Sequence, residues 1–335
     1  MLPLDETLLG QERVAASFLA ALRKGTLSHV MILLGPEGSG KSTLADFFAR
    51  ALLCTGTTPP CGVCGSCIRA QTGNHPDLHI FTPARPGAFR VADAETLQKV
   101  LLVRPYEGGR RVLIVPDAQR MTEEAQNKLL KVLEEPPADT YIFLLATSLA
   151  PFLPTVLSRC VQINLDRMET ERLLSHLREA FHDASDGRLR HAAASAQGWP
   201  LRAKALLEDE SYWETREQTL DFLVNARTLR GKMELFRFYA KRKDELLASL
   251  DLWEWMLRDA AFSGEDVTPI HADQSARIHE LKKSLTKDQL MTLWRATQEA
   301  RAALAQNAAV SMTLDAWLAA WPHEEEYDHS NRRAL

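Results

Sequence analysis

The chain has 335 residues, more than one ordinary core accommodates, so two or three compact domains are expected. Hydrophobic residues at 45% and charged residues at 25% exclude a disordered or fibrous chain. Forty Lys plus Arg against 44 Asp plus Glu leave a formal charge of −4, which excludes a grip on nucleic acid by bulk electrostatics, so any DNA contact must be local or shared.

Along the chain, Leu9 to Arg23 carries helical apolar spacing, His29 to Leu34 reads as a short apolar strand, and Ser42 to Leu53 is helical again. Val112 to Val115 reads as a strand, Thr122 to Leu133 as a helix stopped by Pro136-Pro137, and Tyr141 to Thr147 as a further strand. This alternation is α/β grammar, and continuous apolar strands are what helices on both faces of a sheet require. From about Leu165 the strand signals fade. Trp213 to Val224, Leu252 to Phe262, Lys287 to Gln306 and Leu314 to Trp321 read as helices. Twelve of the sixteen glycines fall at or before Gly109 and all seven tryptophans at or after Trp199, which marks the same divide. Gly198-Trp199-Pro200 and the acidic Glu208-Asp209-Glu210 set off a small helical segment. The expected division is an α/β domain over residues 1–165, a helical segment over 166–208, an all-helical region over 209–325 and a polar tail over 326–335.

Gly35-Pro36-Glu37-Gly38-Ser39-Gly40-Lys41-Ser42, followed by Thr43, fits the eight-position P-loop pattern and stands between an apolar strand and a helix, where phosphate chemistry needs it. Glycines let successive N–H groups converge on phosphates, and the helix that follows presents its free N–H groups and positive dipole end. Lys41 is placed to reach the β/γ-phosphates and Ser42 to ligate Mg²⁺, so ATP or ADP with Mg²⁺ is the expected ligand. Hydrolysis also needs an acid on the metal side and a residue that orients water. The next strand ends Val115-Pro116-Asp117, and Pro116 stands where an active ATPase of this layout carries the first of two acids. Proline cannot ligate a metal through its side chain. Asp117 reads equally as a metal-side acid and as a turn or helix-cap residue.

Cys54, Cys61, Cys64 and Cys67 have C-x6-C-x2-C-x2-C spacing among Gly56, Gly62, Gly65 and Pro59-Pro60, the pattern of a zinc knuckle over residues 54–67. Four thiolates satisfy tetrahedral Zn²⁺ completely, so such a site is structural. Free thiols, a redox pair and an Fe–S cluster are the alternatives. Cys160 stands apart and reads as a small buried residue. No apolar run approaches the roughly 18 residues of a membrane span, and Met-Leu-Pro-Leu-Asp-Glu lacks the basic-then-apolar order of a secretory signal, so a cytoplasmic setting is expected.

Leu9-Gly10-Gln11, the P-loop, the cysteine knuckle after its helix, Leu129-Leu130-Lys131-Val132-Leu133-Glu134-Glu135-Pro136-Pro137, Leu145-Ala146-Thr147 and Ser158-Arg159-Cys160 together resemble the bacterial AAA+ clamp-loader subunits. The resemblance covers about residues 5 to 210 closely. Beyond that, Asn307 and Leu314-Asp315-Ala316-Trp317-Leu318 resemble the last helices of the family's oligomerisation collar. It implies a AAA+ P-loop domain, a small helical lid over 166–208 and an all-α collar over 209–325. With Pro116 in place of an acid, the chain is more similar to the family's delta-prime branch, largely non-hydrolysing, than to its gamma/tau motors; a self-sufficient gamma/tau-like ATPase is the alternative.

The resemblance also implies residue roles. Arg159 corresponds to a finger that reaches the ATP of a neighbouring motor subunit, where a permanently charged planar guanidinium stabilises developing phosphoryl charge. Thr147 resembles a first sensor at a strand end. Arg202 resembles a second sensor from the lid, although Trp199-Pro200 departs from the smaller residues usual there. His29 also matches the family but reads rather as a satisfied half-buried histidine. Implied partners are the gamma/tau and delta subunits, the sliding clamp and primer-template DNA. Trp253-Glu254-Trp255 reads as helix core or interface, Trp317 and Trp321 as one face presented to collar partners, and Glu324-Glu325-Glu326 as a solvated charge run.

Overall fold

The computed structural model describes residues 8–83, 87–107, 109–264 and 269–322, so the tail and the Glu324-Glu325-Glu326 run lie outside the described residues. The chain divides into two compact units, one formed by residues up to Glu169 together with Gly198–Arg202, the other by Thr170–Gln197 and the residues from Ala203 onward.

The first unit is built on a parallel sheet. In chain order its elements are α1 (Glu12–Lys24), β1 (Val30–Leu34), α2 (Lys41–Leu53), α3 (Gly65–Gln71), β2 (Leu78–Ile80), α4 (Val91–Leu102), β3 (Arg111–Val115), α5 (Glu123–Glu134), β4 (Thr140–Ala146), α6 (Pro154–Leu157) and β5 (Val161–Asn164). The five strands lie in the order β2-β3-β4-β1-β5, all pairs parallel. Period-two alternation decides which face each strand residue joins. Met31, Leu33, Val112, Ile114, Phe143 and Leu145 pack with Phe18 of α1 and Phe48 of α2. Val30, Ile32, Leu113, Val115, Ile142 and Leu144 pack with Leu97 of α4 and Leu129 of α5 on the other face. Each such fully buried side chain contributes about 2 kcal/mol. Phe18 and Phe48 stack with centroids 3.7 Å apart. The Thr122 hydroxyl caps α5 by accepting from the Ala125 N–H at 3.3 Å.

The strands and helices read from the apolar pattern occur here with small shifts of their ends. The pattern did not disclose β2, α4 or β5. The two strands are short edges of the sheet, where one exposed face leaves a mixed composition: Ile80 and Val161 are exposed.

The second unit is helical: α7 (Thr170–Ala180), α8 (Asp186–Ser195), then, after α9 (Pro200–Glu208), α10 (Glu210–Asn225), α11 (Leu229–Tyr239), α12 (Lys243–Ala261), α13 (Ser275–Ser284), α14 (Lys287–Ala305) and α15 (Val310–Ala319). The helix expected from Leu252 begins nine residues earlier, at Lys243. Trp317 and Trp321, expected to face partners, are instead interior, 1% and 2% exposed. Trp317 stacks on Trp253 at 4.7 Å, and its indole N–H donates to the Thr297 hydroxyl at 2.8 Å. An apolar stripe on a terminal helix looks the same whether it covers its own core or another chain's, and here the core of α12 and α14 takes it. Trp253 is likewise core, whereas Trp255 is partly exposed.

A second feature of this unit has no counterpart in the sequence pattern. Arg216 is completely buried and donates both terminal nitrogens to Asp273, at 2.8 and 2.9 Å. Its Nη2 also lies 3.5 Å from His191 Nδ1, and His191 Nε2 is 2.8 Å from the Tyr212 hydroxyl. His271, also fully buried, stands 4.9 Å from the His191 ring, and its backbone N–H donates to Asp259 at 2.7 Å. Burial pushes both imidazoles below the ordinary histidine range, and the Arg216 charge adds to the shift.

Candidate functional site

Strand register gathers three expected site segments at one edge of the sheet. Leu34 is opposite Ala146, and Val115 is opposite Leu144, so the chain leaving β1, β3 and β4 emerges side by side. The Gly35 N–H donates to the Ala146 carbonyl at 3.2 Å. The reversal of strand order beside β1 is where open parallel sheets form a ligand crevice at their carboxyl ends.

Within the loop, Pro36, Glu37 and Gly38 are exposed, while Gly35 and Ser39 are buried. The Ser39 hydroxyl meets no hydrogen-bond partner among the described residues. Gly40, the N-cap of α2, has no side chain to satisfy the helix's first N–H groups. An orphaned hydroxyl and uncapped amides fit an anion held in this loop. Lys41 Nζ donates to the carbonyls of Gly35 and Pro36 at 2.7 and 2.8 Å. Burial lowers its pKa, opposed by the charges of Asp117 and Glu37. Ser42 is exposed, and Thr43 is partly so.

Gly38 has φ +72°, and a Cβ there would stand 3.2 Å from Arg202 Cβ, so Arg202 starts beside the loop. Its approach depends on Gly198, whose φ of +86° and place against the Met168 carbonyl, 2.5 Å from any added Cβ, admit only glycine. The Gly198 carbonyl accepts from the Met168 N–H at 2.9 Å. Gln11 closes the same region, its side-chain amide exchanging bonds with the Asp166 backbone at 2.7 and 3.0 Å.

Asp117 adopts the left-handed conformation, φ 48°, at the start of a short 3-10 turn over Ala118–Arg120. It thus occupies a turn, as one of its two sequence readings has it, and its charge also acts on Lys41. Gln119, which the sequence did not single out, joins two site segments: its amide nitrogen donates to Asp117 Oδ1 at 3.3 Å and its oxygen accepts from the Thr147 N–H at 3.4 Å. Thr147 itself is exposed at the end of β4.

Arg159 stands apart from the loop, at the end of α6. Its Nη1 donates to the Thr155 carbonyl at 2.9 Å and the Ser158 hydroxyl at 3.2 Å, and its Nη2 to Glu134 at 3.1 Å. The connection from β4 to α6 is fixed by Gln126, 1% exposed, which donates to the carbonyls of Met121 and Pro151 and accepts from the Leu153 N–H at 2.8 Å. A glutamine on the core-facing stripe of α5, beside Leu129 and Leu133, was the signal that could have found it. His29 is the satisfied histidine expected, its Nδ1–H donating to the Thr140 carbonyl at 2.8 Å.

The four cysteines of the knuckle do come together, with all four sulfur atoms within 4.8 Å of one another. Cys61 and Cys67 sulfurs, and Cys54 and Cys64 sulfurs, are 4.0 Å apart, close to the roughly 3.8 Å edge of a tetrahedral zinc thiolate. Backbone N–H groups of Gly56 and Cys61 donate to Cys54, that of Cys64 to Cys61, and that of Cys67 to Cys64, at 3.3 to 3.4 Å. Burial acts to raise the Cys64 thiol, but hydrogen bonds from Cys67 and Thr55 outweigh it and bring it down to about 5. Burial pushes Cys67 up to about 12. A metal such as zinc therefore fits this donor set, with sulfur-directed amides ready to share thiolate charge. Beside α3, buried His75 accepts from the Asp77 N–H and pairs with the Ser66 hydroxyl at 2.6 Å, a support the sequence did not reveal. Cys160 is partly buried, and burial pushes its thiol up to about 11.

A parallel sheet with a P-loop at its carboxyl edge and a cysteine module after the following helix defines the class, a P-loop α/β protein. A family model described as DNA polymerase III, delta subunit, matches residues 10–169. The delta' subunit of Haemophilus influenzae is 31% identical over 222 residues, covering 66% of this chain and 67% of that protein. The delta' subunit of Pseudomonas aeruginosa is 33% identical over 197 residues, 58% of this chain and 60% of that protein. The tau subunit of Escherichia coli K12 is 33% identical over 209 residues, but the match spans only 32% of its length. The chain belongs to the DNA polymerase III delta' family of clamp-loader subunits.

Proposed function

We propose that this chain is a largely non-hydrolysing assembly subunit of a polymerase III clamp loader, one that binds nucleotide without turning it over and lends Arg159 to a neighbouring motor subunit. The observation that carries the reading is Pro116. Register brings the end of β3 to the P-loop edge, so an acid at that position would face the metal, and proline supplies no ligand. Asp117 alone, turned into a left-handed bend and bonded by Gln119, does not replace a pair of acids.

In this reading the loop from Gly35 to Thr43 holds ATP or ADP. Lys41 exchanges its carbonyl bonds for phosphate oxygens, Ser42 faces Mg²⁺, and Thr147 and Arg202 flank the phosphates. Bound Mg²⁺ would neutralise phosphate charge. The cysteine module holds zinc as a structural crosslink between the end of α2 and α3. The lid over 166–208, the collar over 209–325, the gamma/tau and delta partners, the sliding clamp and primer-template DNA belong to the same proposal, as does a cytoplasmic setting. No described helix is long and apolar enough to cross a membrane.

The similarity to tau subunits and the intact P-loop favour the second reading, a gamma/tau-like ATPase. ATP turnover by the purified chain, alone and then with motor subunits, separates the two. Negligible turnover alone is expected, and brisk Mg²⁺-dependent hydrolysis by the isolated chain would establish the second. In the assembled complex, Arg159→Ala should slow hydrolysis about 10³-fold at the site it faces, with assembly intact, as measured by single-turnover kinetics and complex mass. Equal rates would remove the finger role. Metal analysis should return about one zinc per chain.

A further inference from the structure

We propose that Glu134 is a positioning residue that aims Arg159; the inference rests on the trans role given to Arg159 above. Glu134 is the last residue of α5, followed by Glu135 and the two prolines that end the helix. A carboxylate at a helix C-terminus is placed against the dipole and the unpaired carbonyls, so its position is unfavourable unless a cation answers it. Arg159 is that cation, with Nη2 3.1 Å from Glu134 Oε1.

The other two bonds of the guanidinium go to Thr155 and Ser158, within its own turn of chain. That turn belongs to α6, only four residues long and therefore a weak platform by itself. Among the described residues Glu134 supplies the single side-chain tie between Arg159 and another element, and α5 is a firm one: twelve residues, a buried stripe through Leu129 and Leu133, and the Gln126 bonds to the segment leading into α6. Bonds on both terminal nitrogens fix the plane of the guanidinium as well as its reach. The pair stays at the surface, with the two side chains 32% and 59% exposed, so a neighbouring subunit's phosphate can approach without unfolding anything. An exposed pair contributes little to stability but does restrict a long, rotamer-rich side chain. Glu134 is therefore expected to matter for turnover and hardly at all for folding.

The test uses the assembled complex of full-length chains. Glu134→Ala should lower kcat at the adjacent site about tenfold while leaving KM for ATP and complex mass unchanged, because only the finger's aim is lost. Glu134→Gln keeps an oxygen for Nη2 and should recover the rate to within about threefold of wild type. In an Arg159→Ala background, Glu134→Ala should add nothing, since the residue acts only through the guanidinium. An unchanged or faster Glu134→Ala complex overturns the proposal, as does an equal loss in both backgrounds, which would mean a structural role. If Arg159→Ala itself has no effect, the finger reading fails and this inference falls with it; if only the Glu134 variants are silent, the finger stands and the positioning role does not.

Discussion

Polar groups at the carboxyl edge of the sheet keep unused bonding capacity around an exposed loop, whereas the Arg216 cluster inside the helical unit makes most of its bonds within the unit, only Arg216 Nε and the His271 ring nitrogens finding no hydrogen-bond partner among the described residues. Among the described residues, Ser39 has a buried hydroxyl without a partner, Ser42 is exposed, and Lys41 is hydrogen-bonded only to carbonyls of its own loop. Arg216 and Asp273, by contrast, meet in a bidentate pair beside His191, His271 and Asp259, with the Arg216 side chain fully buried. The first arrangement leaves polar atoms open to a ligand of the proposed kind; the second ties the chain's own helices together. Substitutions in the two places should therefore divide cleanly into loss of ligand response and loss of stability.

The largest effect is expected from Arg216→Ala. It empties a fully buried cation site and leaves Asp273 with only Gln274 and solvent to answer it, which costs about 3 kcal/mol, the low end for a broken buried pair because the carboxylate keeps some solvent contact. Tryptophan emission is well suited to the measurement, because every tryptophan except Trp199 lies in the helical unit. The urea midpoint followed by tryptophan fluorescence should fall sharply, and an unchanged midpoint would show that the pair is not a structural tie.

Acidification should act on the same cluster with a smaller step. Burial and Arg216 hold the His191 and His271 pKa values below that of the unfolded chain. The folded form thus refuses protons that the unfolded form accepts once pH drops below about 6.5. Stability is present above that value and declines beneath it, by about 1.4 kcal/mol per pH unit for each excluded proton. Midpoints at pH 7, 6 and 5 should descend in that order; a flat series would remove the histidines from the account.

These same two regions explain what the sequence could and could not disclose. The phosphate loop and the cysteine knuckle are contiguous, so spacing alone carries their geometry, and the apolar runs of β1, β3 and β4 are legible because both faces of those strands are covered. The Arg216–Asp273 pair joins residues 57 positions apart, and His191 and Asp259 enter from other helices, so no local pattern records their meeting. Gln119 and Gln126 act through carbonyls and amides that only the fold brings near. Trp317 and Trp321 were placed on the right face of their helix but assigned the wrong neighbour, because a stripe encodes burial and not what buries it.

Lys41→Ala should have the smallest effect on the free protein and the most selective effect on the comparison. The bonds it removes end on carbonyls of a partly exposed loop, so stability without ligand should change by less than about 1 kcal/mol. With Mg-ATP at a hundred times its dissociation constant, the wild-type chain should gain about 2.7 kcal/mol. Hydrogen exchange can assign that gain to a place: amides of β1, α2 and β4 should become protected on adding Mg-ATP, while those of α10, α12 and α14 remain as they were. The variant should show neither the gain nor the local protection. Retention of both would mean that Lys41 is not the phosphate-binding lysine, and protection spread equally through the helical unit would mean that this unit responds to the ligand after all.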